Sequence, residues 1–178
     1  MTKNTRIVET GDQEIQKQQY EPKHDVVFVL DRLRSAHNVG NIFRIAELTA
    51  LQEVVTCGYT ATPPHPKLEK TAMGCDAVVP FRHFPTGVEA VKALQSEGYI
   101  VLAVETVEDA PMLWSQQITP KTAFVFGNEA LGITEEALAA CDGCIRLPVF
   151  GFKNSLNVGN CASVIAYEAV RQLSFNPN

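Results

Sequence analysis

The sequence lacks the features that mark membrane, secreted and strongly basic proteins. Over 178 residues no apolar run approaches the ~20 residues that cross a bilayer, and segment 1–20 is too polar for a signal peptide. The five cysteines are odd in number and scattered, which indicates reduced thiols in a cytoplasm and not a disulfide framework. Fifteen Lys and Arg against twenty Asp and Glu give a net charge of -5, which argues against nucleic-acid binding by bulk positive charge. With 46% apolar residues, we expect one globular domain.

Common catalytic and nucleotide-binding motifs are also missing. No Gly-x-Gly-x-x-Gly follows a strand and no Gly-x4-Gly-Lys-Ser/Thr is present, which weakens any dinucleotide or phosphate-loop interpretation. No Gly-x-Ser-x-Gly segment supports a serine hydrolase of that type. Cys141 and Cys144 have the spacing of half a zinc site, but no second Cys pair or His pair accompanies them. We therefore expect no metal.

Short apolar runs alternate with helical patterns from residue 25 onward. We divide the chain into a polar, charge-balanced tail or docking segment, 1–24, and one domain, 25–178. Thr86 and Thr134 suit helix N-caps, and Gly98 suits a helix C-terminus. Strands are predicted at 26–30, 53–57, 77–80, 99–104, 122–126 and 144–147, and helices at 67–73, 87–96, 134–140 and 156–173. The alternation predicts an α/β fold, a mostly parallel sheet with helices on both faces.

Polar residues follow three of the apolar runs, at the edge where ligands bind in open parallel sheets. In the first segment Asn38 is suited to cap a helix, and Arg44 lies among apolar neighbours. In the second, Gly127 permits close backbone approach and Glu129 follows the strand directly. The third, 147–160, is rich in Gly, Asn and Ser, so its backbone groups are free to bind a polar ligand.

The tetrapeptide Asn-Val-Gly-Asn occurs twice, at 38–41 and at 157–160, each time before an apolar helix. Two helix N-termini with the same polar sequence are expected to converge on one ligand or on each other. Coincidence is the alternative for so short a match.

The three segments resemble, in the same order, the three motifs of the SpoU (TrmH) group of RNA 2'-O-ribose methyltransferases, in the SPOUT class. Leu147-Pro148, Gly151 and Ser155-Leu156-Asn157, before the last helix, carry the resemblance most specifically. It covers about 25–173 and implies a C-terminal deep trefoil knot. It also implies S-adenosylmethionine bound in that knot, RNA as the substrate, and a homodimer whose active site lies beside the subunit interface.

The resemblance also implies roles for particular residues. The positions that would bind the cofactor, mainly through backbone groups, are Val104, Gly127, Leu147 and Leu156. The catalytic set would be Asn38, Arg44, Glu129, Ser155 and Asn157.

The chemistry leaves the role of Arg44 open. A ribose 2'-hydroxyl must lose its proton as it attacks a sulfonium methyl, and the family proposal makes this arginine the base. A guanidinium pKa above ~12 makes that difficult, so the other interpretation has Arg44 grip a phosphate and stabilise the developing alkoxide. Asn38, Ser155 and Asn157 would orient the ribose and the arginine. Glu129 would fix either Arg44 or the loop.

Attraction for RNA must come from local patches, because the net charge is negative. The candidates are Arg32, Arg34, Arg44, Arg146 and Lys153. The leading hypothesis is methylation of a ribose 2'-hydroxyl in tRNA or rRNA. The alternatives are a catalytically weak or inactive knotted RNA-binding or assembly module, and a nucleotide-binding enzyme unrelated to methylation.

Overall fold

The structure is a computed structural model that describes residues 20–175, so most of the predicted tail lies outside the described residues. Within that range, six parallel strands form one sheet in the order β3-β2-β1-β5-β4-β6. The strands are β1 His24–Asp31, β2 Leu51–Cys57, β3 Phe81–Phe84, β4 Ile100–Val104, β5 Thr122–Phe126 and β6 Gly143–Ile145. The chain leaves the central strands β1 and β5 in opposite directions, which opens a crevice at their carboxyl ends.

Helices cover both faces of the sheet, which confirms the predicted α/β architecture. They are α1 Ala36–Leu48, α2 Pro66–Ala72, α3 Gly87–Ser96, α4 Glu135–Ala140 and α5 Val158–Val170. Helices α1, α2 and α5 pack on one face, and α3 and α4 pack on the other. A π-helical turn, Arg171–Phe175, follows α5. The threading of a knot stays a prediction.

The central strands are apolar on both sides because each of their faces meets a helix layer. Val26 to Leu30 have no exposed surface, and Phe28 contacts Phe124 and Phe126 edge to face, with ring centroids 6.2 and 5.0 Å apart. Such aromatic pairs add to the stabilisation that area burial provides. A rigid sheet therefore fixes the loops that leave its carboxyl edge.

The prediction of a strand at 77–80 is wrong. A short 3-10 turn, Cys75–Ala77, occupies the start of that segment, and Gly74 precedes it with a left-handed φ of 89°. The strand follows instead at Phe81–Phe84, and among residues 20–175 it is an edge strand that pairs with β2 alone. Its side chains alternate between exposed and half-buried, so it lacks the apolar run that marks the inner strands.

The N-cap of α1 is Ser35, not Asn38. Ser35 has an extended backbone, and its hydroxyl accepts a hydrogen bond of 3.2 Å from the backbone N–H of Asn38. Asn38 therefore lies inside the first turn of α1, where its side-chain amide is free to contact other segments. The predicted N-caps Thr86 and Thr134 are both confirmed.

Candidate active site

A cavity of about 460 Å³ opens at the carboxyl ends of β4 and β5, next to the loop that leads into α5. That volume lies within the range of small-molecule sites in proteins. Seven of the nine site residues predicted from the sequence line it: Val104, Gly127, Glu129, Leu147, Ser155, Leu156 and Asn157. The second and third sequence segments therefore meet in one place.

Glu129 joins the second segment to the first. Its carboxylate accepts hydrogen bonds from the backbone N–H of Arg34 at 2.9 Å, the backbone N–H of Ser35 at 3.2 Å and Asn38 Nδ2 at 3.0 Å. Partial burial raises the pKa of Glu129, but these hydrogen bonds outweigh it and the net pKa is lowered. The side chain is therefore an anion at neutral pH and fixes the loop before α1.

Asn157 joins the third segment to the first. Its Oδ1 caps α5 by accepting from the backbone N–H of Gly159 at 2.9 Å and of Asn160 at 3.3 Å. Its Nδ2 donates to Asn38 Oδ1 at 3.4 Å. The two copies of the repeated tetrapeptide thus converge on each other, and Asn38 receives polar contacts from both other segments.

Arg44 lies apart from this cluster. Its side chain is exposed on α1, and Nη1 contacts Met73 Sδ at 3.2 Å. Arg44 does not line the cavity of its own chain, and Glu129 does not contact it. The alternative in which Glu129 fixes a loop, here the one before α1, is therefore the one that the geometry supports.

The turn after β5 depends on glycine. A Cβ on Gly127 would lie 2.2 Å from the backbone N of Ile133, so only glycine permits this approach. Gly132 has a left-handed φ of 72°, and a Cβ there would lie 2.6 Å from Glu105 Oε2. The Glu105 carboxylate, which also lines the cavity, accepts from the Ile133 N–H at 3.2 Å. The turn consequently exposes main-chain groups to the cavity.

Sequence reasoning missed Asn128, which is 4% exposed and holds the site together. Its Oδ1 accepts from the backbone N–H of Ala130 and Leu131, and its Nδ2 donates to the carbonyl of Arg32 and the hydroxyl of Tyr59, both at 2.8 Å. The signal available in the sequence was an amide between Gly127 and Glu129, directly after an apolar strand.

The donor set of the cavity fits S-adenosylmethionine, which carries a sulfonium and an ammonium charge beside an apolar adenine. Val104, Leu147 and Leu156 supply apolar walls, while Glu105 and Glu129 supply negative charge. Cys161 contributes a neutral wall, because burial, with a smaller effect of Glu105, raises the pKa of its thiol to about 12.

Two phenylalanines in the loop before α5 are almost wholly exposed, Phe150 at 95% and Phe152 at 101%. The predicted basic patch is only partly available, since Arg146 is half-buried and its Nε donates to the Ala110 carbonyl at 2.9 Å.

Among residues 20–175, no helix is long and apolar enough to cross a membrane. The same residues contain no cluster of three or more His, Cys, Asp or Glu able to hold a metal ion.

One family model and several known proteins are similar to this chain. The model of the SpoU rRNA methylase family matches residues 25–167. The tRNA (guanosine(18)-2'-O)-methyltransferase of Thermus thermophilus is 34% identical over 148 residues, 83% of this chain and 75% of that protein. The 23S rRNA (uridine(2479)-2'-O)-methyltransferase of Streptomyces viridochromogenes is 30% identical over 155 residues, 84% of this chain and 54% of that protein.

A solved structure gives the same result at the level of the fold. The crystal structure of the SpoU methyltransferase AviRb from Streptomyces viridochromogenes, in complex with the cofactor AdoMet, matches with a TM-score of 0.77 at 26% identity. The match covers 84% of this chain and 61% of that chain. The chain is therefore shorter than each of these relatives.

Proposed function

This chain belongs to the SpoU rRNA methylase family, and we propose that it transfers the methyl group of S-adenosylmethionine to a ribose 2'-hydroxyl of tRNA or rRNA. Relatives that match over most of the chain are tRNA and rRNA 2'-O-methyltransferases, and the chain is an enzyme of that class. The observation that carries the proposal is the meeting of Asn38, Glu129 and Asn157 at a cavity suited to the cofactor. The five cysteines of the chain are all free thiols, which fits a cytoplasmic protein.

The cofactor would lie along Gly127, Leu147 and Leu156, with its apolar part against the leucines and its polar edge on main-chain groups. When bound, it supplies an electrophilic methyl group. The ribose 2'-hydroxyl would take up that methyl group and pass its proton to a phosphate oxygen or to water, with S-adenosylhomocysteine as the leaving group. The carboxylates of Glu105 and Glu129 would stabilise the positively charged cofactor before the reaction. The remaining residues must therefore stabilise the ribose 2'-oxygen, which becomes anionic as its proton leaves.

Asn38 and Ser155 are the side chains that orient the ribose in this proposal. Asn38 is held from two sides, by Glu129 and by Asn157, which removes the rotamer freedom that would otherwise weaken its contact with substrate. Ser155 lines the cavity and is exposed, whereas Asn38 lies at its edge, in contact with Glu129 and Asn157. Glu129 acts as a positioning residue for Asn38 and for the loop over Arg34 and Ser35.

Arg44 requires a different explanation, because it lies outside the cavity of its own chain. It is exposed on α1, and α1 packs against α5, where a Cβ on Gly159 would come within 2.9 Å of Asn41 Nδ2. The exposed residues of these two helices recur at helical spacing: His37, Arg44 and Leu48 on α1, and Asn160, Val164 and Tyr167 on α5, with Arg171 directly after α5. Leu48 is 58% exposed and Tyr167 is 56% exposed.

A mixed apolar and polar helix face of this kind suits a two-fold contact with a second copy. The proposed homodimer uses the α1–α5 face, and Arg44 of each copy serves the cavity of the other. There its guanidinium would bind the substrate phosphate and stabilise the developing alkoxide.

Two measurements test the activity. Calorimetric titration with S-adenosylmethionine should give one site per chain, and wild-type protein should methylate RNA purified from a strain that lacks the gene. Mass spectrometry should then locate the methyl on a ribose. Cofactor binding without methyl transfer to any RNA fraction would favour the inactive-module alternative, and no cofactor binding would contradict both.

Mixing two inactive variants tests the dimer. Arg44→Ala removes the guanidinium, whereas Leu156→Trp fills the cavity, and each alone should be inactive. If Arg44 serves the partner's cavity, an exchanged equal mixture regains about one quarter of wild-type activity, because half the dimers are mixed and each has one intact site. If Arg44 serves its own chain, the mixture stays inactive although light scattering shows a dimer.

A further inference from the structure

A second group of residues lies at the carboxyl ends of β1 and β2, next to the turn that carries Glu129. Tyr59 is 59% exposed, yet its hydroxyl is fixed by a hydrogen bond of 2.8 Å from Asn128 Nδ2. The same amide group donates to the Arg32 carbonyl at 2.8 Å. An aromatic ring that is anchored at its polar end and open to solvent elsewhere is a prepared stacking surface.

Arg32 lies against the same loop. It has a left-handed φ of 55°, which a non-glycine residue adopts only where surrounding contacts enforce it. Gly58, directly before Tyr59, has a φ of 60°, and a Cβ there would lie 3.0 Å from Arg32 Cγ. The aliphatic stem of Arg32 therefore packs closely on Gly58, the residue directly before Tyr59.

The two arginines of this region differ in exposure. The Arg32 side chain is 30% exposed, but its Nε is buried, has no hydrogen-bond partner among residues 20–175 and lies 3.7 Å from Asp31 Oδ1 in an ion pair. The other oxygen of that carboxylate, Oδ2, accepts from the backbone N–H and the hydroxyl of Thr134. Arg34 gives its backbone N–H to Glu129, whereas its side chain is exposed.

An exposed aromatic residue with two arginines on the neighbouring loop is a composition that suits a nucleotide of single-stranded RNA. Bases stack on aromatic rings in a sequence-tolerant way, and arginine binds phosphate oxygens with a planar, always-charged fork. Asn128 and Glu129 are adjacent in sequence, so this group lies directly beside the residues that would hold the methylated ribose.

We propose that Tyr59, Arg32 and Arg34 form a second nucleotide subsite, which holds the RNA residue next to the one that is methylated. Tyr59 stacks on the base of that neighbour, and the two arginines bind the phosphates that flank it. The proposal rests on the proposed function, since it requires an RNA substrate at Glu129. Tyr59 is then a substrate-binding residue that determines how tightly the RNA is held.

The test separates stacking from the structural role of the Tyr59 hydroxyl. Tyr59→Ala removes ring and hydroxyl, whereas Tyr59→Phe removes only the hydroxyl. Methyl transfer to the tRNA and rRNA fractions of a strain lacking the gene is measured against RNA concentration, together with cofactor titration and thermal unfolding. Trp114→Ala is the matched control, since Trp114 is 63% exposed and lines a separate cavity beside Gln172.

Tyr59→Ala should raise the half-saturating RNA concentration by about tenfold or more while cofactor affinity stays unchanged. Tyr59→Phe should remain within about threefold of wild type, and the control should match wild type. Arg34→Gln should weaken RNA binding and reduce the salt slope by about one.

Equal losses in Tyr59→Phe and Tyr59→Ala, or an unchanged half-saturating concentration in Tyr59→Ala, would overturn the subsite while the enzyme remains active. Absence of methyl transfer by the wild-type chain would overturn the proposed function as well. The two failures are therefore distinguishable.

Discussion

The structural and chemical roles of Asn157 can be separated by mutation, because the oxygen and the nitrogen of its side-chain amide contact different partners. Its Oδ1 caps α5 through two backbone N–H groups, at 2.9 and 3.3 Å, and its Nδ2 donates to Asn38 Oδ1 at 3.4 Å. Alanine removes both functions. Aspartate keeps the cap and removes only the donor, so the two substitutions divide the residue.

The stability part follows from capping energetics. Loss of an N-cap costs about 1 kcal/mol, which lowers Tm by about 2–4 °C in a domain of this size. Asn157→Ala should show that loss in thermal and urea unfolding. Asn157→Asp should be as stable as wild type or slightly more stable, since a negative charge at a helix N-terminus is favourable.

The expected effect of Asn157→Asp on activity differs from its effect on stability. In Asn157→Asp an anionic oxygen faces Asn38 Oδ1, and Asn38 cannot turn its amide without losing its bond to Glu129. We expect methyl transfer to fall by about tenfold or more in both variants, corresponding to roughly 1.4 kcal/mol for one lost contact. Full activity in Asn157→Asp would refute the reasoning, because it would make Asn157 a cap and nothing more.

Two further predictions concern the turn after β5. Gly127→Ala should lower the free energy of unfolding, measured in urea, by more than about 2 kcal/mol, because the new Cβ would meet the backbone of Ile133. Gly151→Ala is the control: a Cβ there has no described atom within 4 Å, so the free energy of unfolding should change little. Because the folded pKa of Glu129 is lowered, its contribution is complete above the unfolded value of about 4.5 and is lost as the pH falls through the folded pKa. Unfolding free energies of wild type and Glu129→Gln should thus differ at pH 7 and converge in acid; a constant difference would contradict this.

Arg44 does not contact the cavity of its own chain. The resemblance places it in the catalytic set, whereas the structure exposes it on α1 beside Met73. Asn38, six residues earlier on the same helix, does reach the other two segments. A single helix therefore carries one residue toward its own cavity and another toward the α1–α5 face.

The edge strand and the first helix cap show where local patterns fail. Val78 and Val79 favour a strand by residue type, but the left-handed turn at Gly74 directs the chain into a 3-10 turn first. Ser35 and Asn38 both suit a cap, and sequence alone cannot decide between them. The structure chooses Ser35, which leaves the Asn38 amide available to the site.

The order of strands and helices, the buried inner strands and the three polar segments were all determined by the sequence, because burial on two faces leaves a local apolar signature. Contacts between distant residues leave none. Three arrangements were decided only by the packing of the parallel sheet, whose loops meet at its carboxyl edge whatever their separation along the chain. Asn128 joins Tyr59 to Arg32, Asn38 lies between Glu129 and Asn157, and Arg44 points elsewhere.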